Sequence, residues 1–115
     1  MHEYSAVKRI VQNVIDASAG YGAGKVNAVY IAIGENSGIS PDSVRMYYDI
    51  LAAGSAAQGA KLHIRVAEAE MSCPKCGKDF RRQRPSFDCP ICGEPGVPTQ
   101  KSGECYVEHV EIETD

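Results

Sequence analysis

Four cysteines give this 115-residue chain its most specific chemical pattern. They stand in two C-P-x-C-G motifs of the same spacing, at residues 73–77 and 89–93. Two thiolate pairs at this spacing converge readily on one tetrahedral ion, which predicts a structural zinc site. The predicted zinc ligands are Cys73, Cys76, Cys89 and Cys92. Because four cysteines fill the coordination sphere, the ion would hold structure and would catalyse nothing.

Each motif also predicts a tight turn of the backbone. The proline after the first cysteine fixes φ between the paired sulfur atoms. Gly77 and Gly93 can adopt positive φ, and we expect them to aim backbone N–H groups at the thiolates. The two motifs would then form similar metal-binding knuckles.

Three other uses of paired cysteines compete with zinc. A redox dithiol would need a thioredoxin-like strand and helix around one pair, whereas these two motifs flank a polar loop. Disulfides would form only in an oxidising compartment. An iron centre or an iron–sulfur cluster also takes four cysteines, so ligand type alone does not exclude iron. Ligand type and spacing together favour zinc.

The first three residues, Met1, His2 and Glu3, form a second group of candidate metal ligands. They offer the terminal amine, the backbone nitrogen and imidazole of His2, and the Glu3 carboxylate, a set that suits divalent nickel or copper. A single histidine is weak evidence for a metal site, and an acidic residue is also what the helix dipole favours in a first turn. The residues alone leave both interpretations open.

Length and charge narrow the possible functions. A chain of 115 residues is near the size of one ordinary domain, and the cysteine-rich segment is too small and polar to bury a core alone. The formal net charge is −3, which argues against a dedicated nucleic-acid binder, although residues 71–100 carry two excess positive charges. No apolar run approaches the ~18 residues that span a bilayer, and the start lacks a signal-peptide pattern, so we expect a cytoplasmic protein without membrane contact.

Hydrophobic periodicity predicts an α+β fold in the order helix, strand, helix, strand, zinc module, strand. Apolar residues at helical spacing begin at the amino terminus, and Ser40-Pro41 opens a second helix. Alternating apolar residues predict strands at 26–33, 62–66 and 106–112. We expect a small three-stranded sheet with both helices on one face, and a zinc-ribbon-like module inserted between two of its strands.

This order divides the chain into two predicted domains. Residues 1–70 and 104–115 would form the α+β domain, and residues 71–103 would form the zinc-binding domain. In the final strand the apolar alternation shifts between Val107 and Val110, which suggests a β-bulge or a twisted end.

A zinc-ribbon module that binds nucleic acid or another protein is the main alternative function. Arg81, Arg82 and Arg84 lie between the two cysteine pairs. Such arginines more often form a solvated surface or a docking site for an acidic protein, and Phe80 and Phe87 alone provide little base stacking. No nucleophile–base pair, phosphate loop or open metal site in the sequence indicates an enzyme.

The other histidines and the fifth cysteine are assigned to structure. His63 and His109 lie on strand patterns beside charged residues and are predicted to be surface positions. Cys105 falls where an apolar strand residue is expected, so we predict a small buried side chain there.

Taken together, these features resemble the HypA family of hydrogenase nickel-incorporation proteins. The resemblance covers essentially all 115 residues in order: M-H-E-Y-S at the start, a strand ending in I-G, S-P-D-S-V opening a helix, G-A-K-L-H-I, the two cysteine motifs and an acidic final strand. The cysteine motifs occur in many zinc ribbons, whereas their combination with an initial Met-His-Glu is specific.

The resemblance implies a nickel metallochaperone that carries Ni²⁺ for assembly of the [NiFe]-hydrogenase active site and is not an enzyme. It places the nickel ligands at Met1, His2 and Glu3 in a nickel-binding α+β domain, and zinc at the four cysteines of the two motifs. The implied partners are a nickel-handling GTPase of the maturation pathway, the hydrogenase large-subunit precursor and, in some relatives, urease maturation proteins. We expect the chain itself to be a monomer or a weak homodimer.

Overall fold

The computed structural model describes residues 3–22, 24–83 and 85–113. Its elements follow the predicted order, with a second small sheet in the cysteine-rich segment. The helices are α1 (Glu3–Ala19) and α2 (Pro41–Ala52), and the strands are β1 (Lys25–Gly34), β2 (Lys61–Ala67), β3 (Glu70–Ser72), β4 (Asp79–Arg81), β5 (Val97–Pro98) and β6 (Cys105–Glu113), with a 3-10 helix at Gln100–Gly103 before β6.

The first sheet has β1 at its centre. Its strand order is β2-β1-β6, with β2 parallel and β6 antiparallel to β1. A central strand is covered by neighbours on both edges, which agrees with the near-continuous burial of β1 from Val26 to Gly34. The three predicted strands are therefore confirmed, and the structure adds the strand order.

Both helices pack on one face of this sheet, as predicted. Helical spacing places the apolar residues of α1 on a single side of the helix, and α2 contributes a shorter apolar face. The buried side chains that meet between the helices and β1 are Ala6, Val7, Ile10, Val11, Val14, Val26, Val29, Ile31, Ile33, Val44, Tyr48 and Ala52. This single core supports the larger part of the molecule.

Contacts at the start of α2 and at Tyr48 within it hold this helix over the sheet. The hydroxyl of Ser40 accepts a hydrogen bond from the Ser43 N–H at 3.2 Å, and Pro41 occupies the first turn, as the sequence predicts. Further along, the buried Tyr48 hydroxyl donates to the carbonyl oxygen of Ala57 at 2.8 Å. Burial raises the pKa of Tyr48 to about 12, so the phenol remains a donor throughout the ordinary pH range.

The predicted irregularity in the last strand is a β-bulge at Glu108. Tyr30 pairs with His109, but the next residue of β1, Ile31, pairs with Val107. Glu108 is thereby left as the extra residue of β6. The bulge returns the apolar side chains of β6 to the helix-covered face.

The cysteine-rich segment forms the second sheet, in the order β4-β3-β5. These strands are two or three residues long, and no periodic pattern in the sequence predicted them. We refer to the segment from β3 through β5, which holds both cysteine motifs, as the zinc module. It lies between β2 and β6 along the chain, so it is an insertion between two strands of the first sheet, as expected.

The two sheets meet where β1 ends. A side chain on Gly34 would place its Cβ 2.2 Å from the carbonyl oxygen of Ser102, which belongs to the 3-10 helix before β6. The N–H of Gly34 also donates to the carbonyl oxygen of Glu104 at 2.8 Å. Only glycine therefore allows the backbones to approach this closely.

We predict that Gly34→Ala lowers the free energy of unfolding by about 1–3 kcal/mol, because the added methyl group meets rigid backbone. Urea denaturation monitored by circular dichroism measures the change. Gly103→Ala is the matched control, since a Cβ there meets no atom within 4 Å. Equal stability of the two variants would contradict the close approach at Gly34.

Candidate metal centre

The two cysteine motifs form knuckles with the same backbone hydrogen bond. The N–H of Gly77 donates to the carbonyl oxygen of Cys73 at 2.8 Å, and the N–H of Gly93 donates to that of Cys89 at 2.9 Å. Both glycines have positive φ, 71° and 77°, as the sequence predicts. The expectation that these glycines aim their N–H groups at sulfur is wrong, because their donors are used to close the turns.

A backbone donor that reaches sulfur belongs instead to Cys76. Its N–H lies 3.3 Å from the Sγ atom of Cys73. This contact lowers the pKa of the Cys73 thiol to about 7. Hydrogen bonding to Cys92, with desolvation, raises the pKa of the Cys76 thiol to about 12. The pKa values of these two thiols are thus shifted in opposite directions, so a bound cation would be needed to hold all four sulfur atoms as thiolates.

The four sulfur atoms converge, as the sequence predicts. All four Sγ atoms lie within 4.8 Å of one another, and those of Cys73 and Cys92 are 3.5 Å apart. Tetrahedral coordination with Zn–S bonds of ~2.3 Å gives sulfur–sulfur distances of about 3.8 Å, so the arrangement fits such a sphere with little adjustment. Within the described residues, this is the only group of three or more histidine, cysteine or acidic side chains placed to hold a metal.

The surroundings of the knuckles favour a structural metal over redox chemistry. Neither cysteine pair opens a helix, which a thioredoxin-like dithiol would require. Cys73 and Cys89 are buried, whereas Cys76 is exposed and Cys92 is half-buried. One side of the cluster thus faces the rest of the module and the other faces solvent. Four sulfur ligands fill a tetrahedral coordination sphere, so no position is left open for a substrate.

The predicted amino-terminal metal ligands are only partly described. Met1 and His2 lie outside the described residues, so their placement as ligands stays a prediction. Glu3 begins α1, and its Oε1 atom accepts a hydrogen bond from the Ser40 N–H at 3.3 Å. Its carboxylate therefore lies at the amino-terminal end of α2, a position that backbone N–H groups favour for negative charge.

The two remaining described histidines lie away from the cysteine cluster, on the sheet face opposite the helices. They flank Tyr30: His63 stacks on its ring with centroids 4.4 Å apart, and His109 lies 5.3 Å away. His63 is half-buried and His109 is exposed, in agreement with the predicted surface positions.

Cys105 is buried in the hydrophobic core at the start of β6, as predicted. It pairs with Ile33 of β1 and does not belong to the four-cysteine cluster. Burial raises the pKa of this thiol to about 11. The fifth cysteine therefore behaves as a small apolar side chain.

Sequence reasoning missed the contact that joins the two sheets. Arg82 was expected on a solvated surface, but its side chain is 16% exposed and forms a 2.9 Å ion pair with Glu35. Its guanidinium group also lies 4.0 Å from the centre of the Phe87 ring. A run of three arginines carries no local signal that distinguishes one paired member, because the partner lies 47 residues away along the chain.

Residues 1–112 match the family model described as hydrogenase/urease nickel incorporation, metallochaperone, HypA. The chain is a member of the HypA family. The resemblance noted from the sequence is thus confirmed over nearly the whole chain. The family description is that of a metallochaperone, so the prediction of a function without catalysis is confirmed as well.

Similar HypA proteins span the full chain. Identity is 38% with hydrogenase maturation factor HypA of Caldanaerobacter subterraneus subsp. tengcongensis, over 98% of this chain and 100% of that protein. It is 34% with hydrogenase maturation factor HypA of Chlorobium limicola, over 98% of this chain and 97% of that protein. The alignments therefore cover nearly all of this chain and of both similar proteins.

The fold is similar to that of two solved HypA structures. The solution structure of the Ni metallochaperone HypA from Helicobacter pylori gives a TM-score of 0.80 at 23% identity, with 100% of both chains covered. A second structure, described as the solution structure of HypA protein, gives 0.75 at 23% identity, covering 100% of this chain and 98% of that one. At this identity the likeness confirms the α+β fold. In the described ranges, neither helix is long and apolar enough to cross a bilayer.

We predict that Cys76→Ser removes the bound metal and unfolds the zinc module before the first sheet, because strands of two or three residues cannot hold the module without its fourth sulfur ligand. Metal content by mass spectrometry and amide dispersion by NMR measure the two effects. Cys105→Ala is the control, since it removes a thiol outside the cluster. Full dispersion of the module's amides after metal loss would contradict the prediction.

Cys105 should resist alkylation in the native protein. With a pKa of about 11, about one thiol in a thousand is ionised at pH 8, and thiolate is the reactive form. The rate with iodoacetamide should therefore rise about tenfold per pH unit from pH 7 to 9.5. Peptide mass spectrometry measures it, and guanidinium-unfolded protein is the control. A rate plateau below pH 9 would refute the raised pKa.

Proposed function

We propose that this chain is a nickel metallochaperone that binds Ni²⁺ at its amino terminus and delivers it for maturation of [NiFe]-hydrogenase. The match of residues 1–112 to the HypA family model is the observation that carries the proposal. The four-cysteine cluster supports it, because it supplies a structural metal site that is separate from the first residues. Sulfur ligands would then hold a resident ion, while nitrogen and oxygen ligands would carry the cargo.

The resident ion is proposed to be zinc, held by Cys73, Cys76, Cys89 and Cys92. Four cysteines within 4.8 Å suit the tetrahedral preference of Zn²⁺. Binding of this kind contributes roughly 10–16 kcal/mol in small zinc modules, which is enough to order a segment with little apolar core. The role of these four side chains is therefore to fold the module.

The cargo site is proposed at Met1, His2 and Glu3. A chaperone must hold nickel firmly enough to keep it from stray ligands and loosely enough to release it, and a chelate at the chain end meets both needs. The bond from Ser40 N–H to Glu3 supports this placement, because carboxylate ligands are commonly oriented by a second hydrogen bond. Copper would bind the same donors more tightly, so selectivity would depend on metal supply and partner docking.

The partners proposed for delivery are a nickel-handling GTPase of hydrogenase maturation and the hydrogenase large-subunit precursor. The family description names hydrogenase and urease together, so urease maturation proteins are included as partners. We place this delivery in the cytoplasm, where reduced thiols remain free to bind metal. The chain is proposed to act as a monomer or a weak homodimer.

The alternative, a nucleic-acid-binding zinc ribbon, loses support from the position of Arg82. Its guanidinium group is engaged by Glu35 and by the Phe87 ring, so it is not available to phosphate. A gel-shift assay at physiological salt tests this alternative directly.

We predict that His2→Ala abolishes nickel binding and leaves zinc content and fold intact. Isothermal titration of untagged protein measures nickel affinity, since an amino-terminal extension would alter the proposed ligands. His109→Ala is the matched control, because it removes an exposed imidazole on β6. An unchanged nickel affinity in His2→Ala would sink the proposed site.

Nickel binding should also weaken as pH falls. Imidazole binds metal only when neutral, and its ordinary pKa is ~6.5, so protons compete with nickel at His2 below that value. Affinity should therefore fall progressively as the pH drops through the region near ~6.5. Titrations between pH 5.5 and 8 measure the trend, with zinc content as the control. A flat profile would argue against an imidazole ligand.

A further inference from the structure

An ion pair joins the end of β1 to the zinc module. Among the described residues it is the one ion pair between the first sheet and this module. Glu35 follows β1, and its Oε1 atom lies 2.9 Å from a guanidinium nitrogen of Arg82, which follows β4. Their side chains are only 9% and 16% exposed. The other Arg–Glu pair, Arg65 with Glu108, spans the open face of the first sheet at 2.7 Å and is 49% and 33% exposed.

Backbone hydrogen bonds lock the same contact from both sides. The N–H of Ala69, in the connection between the two sheets, donates to Glu35 Oε1 at 2.9 Å. The N–H of Arg82 donates to the carbonyl oxygen of Ala69, also at 2.9 Å. Phe87 covers the guanidinium group at 4.0 Å. We call the set Glu35, Ala69, Arg82 and Phe87 the interlobe latch.

Burial makes the loss of one member of this latch more costly than the loss of one member of a surface ion pair. An exposed pair contributes little because water and salt screen it, whereas removing one member of a buried pair leaves the other charge without compensation. The cation–π contact also holds the guanidinium plane in one orientation. The latch therefore has one closed geometry, and that geometry requires a folded zinc module.

A short segment connects the latch to Glu3. Starting at Glu35, the chain reaches Ser40 in five residues, and Ser40 N–H donates to the Glu3 carboxylate. Within this segment Asn36 N–H donates to the Ser102 carbonyl oxygen at 3.3 Å, and Ile39 is buried in the core. Both ends and the middle of the segment are thus held, so an ordered stretch of chain joins Glu35 to Ser40.

We propose that the interlobe latch positions residues 35–40, and through Ser40 the Glu3 carboxylate, so that Glu35 and Arg82 are positioning residues for the amino-terminal nickel site. This inference rests on the proposed function for its nickel part alone. The zinc module then has a second task besides its own folding: it supplies the cation that keeps the first sheet's end in place. Opening the latch separates Glu35 from Arg82 and weakens the support of a nickel ligand.

The test compares Arg82→Gln with Arg65→Gln. Each variant loses one guanidinium from an Arg–Glu pair and keeps a long polar side chain, but only Arg82 joins the two sheets. In Arg82→Gln we expect faster amide exchange at Ala69 and, in ¹⁵N relaxation, separate tumbling of the zinc module and of the part built on the first sheet. Nickel affinity should weaken about fivefold or more, while zinc content stays unchanged. Arg65→Gln should show none of these effects.

Glu35→Gln completes a double-mutant cycle. If the two side chains act as one latch, the Glu35→Gln, Arg82→Gln double variant weakens nickel binding no further than either single variant. The equivalent cycle at Arg65 and Glu108 should show no effect on nickel. Purely additive losses at Glu35 and Arg82 would overturn the latch as a unit.

The outcomes separate this inference from the proposed function. Protected exchange at Ala69 and joint tumbling in nickel-free Arg82→Gln would overturn the latch, whatever its nickel affinity. Separate tumbling with unchanged nickel affinity would overturn the positioning of Glu3. Failure of the proposed function instead appears as wild-type nickel affinity in His2→Ala, a result that does not touch the nickel-free exchange measurements.

Discussion

The fold of the zinc module depends on one constraint, the convergence of four sulfur atoms within 4.8 Å of one another. The strands of the zinc module are two or three residues long, and few of its side chains are buried. A hydrophobic core of this size cannot offset the entropy of ordering the segment. Bonds from the proposed metal ion to the thiolates would take the place of the missing core, and Arg82 and Phe87 lie in the chain between the two knuckles.

Much of the larger half could be predicted from the sequence, because its signals are local. Helical spacing identified the buried face of α1, Ser40-Pro41 marked the start of α2, and the shift at Val107 and Val110 located the bulge at Glu108. The knuckles could also be predicted from the sequence, since the spacing of two cysteines and the positive φ of a glycine are properties of a few adjacent residues.

What escaped prediction depends on partners distant in the chain. The parallel pairing of β2 with β1 follows from the packing of α2, and three-residue strands have too few positions to show a period. In the sequence nothing distinguishes Arg82 from the neighbouring arginines, because its partner Glu35 comes beside it only in the folded chain. The glycine donors likewise serve the turns and not the thiolates, because the N–H groups of Gly77 and Gly93 bond the carbonyl oxygens of Cys73 and Cys89.

The insertion of the zinc module between β2 and β6 has a consequence for biosynthesis. β6 pairs with the central strand β1 and leaves the ribosome only after both knuckles have emerged. Until then β1 has one uncovered edge, and the side of the core that β6 closes remains open to solvent and to chaperones. A folded insertion holds its two ends together, since the Thr99 N–H donates to the Glu70 carbonyl oxygen at 2.9 Å, and this shortens the loop that β6 must close when it pairs with β1.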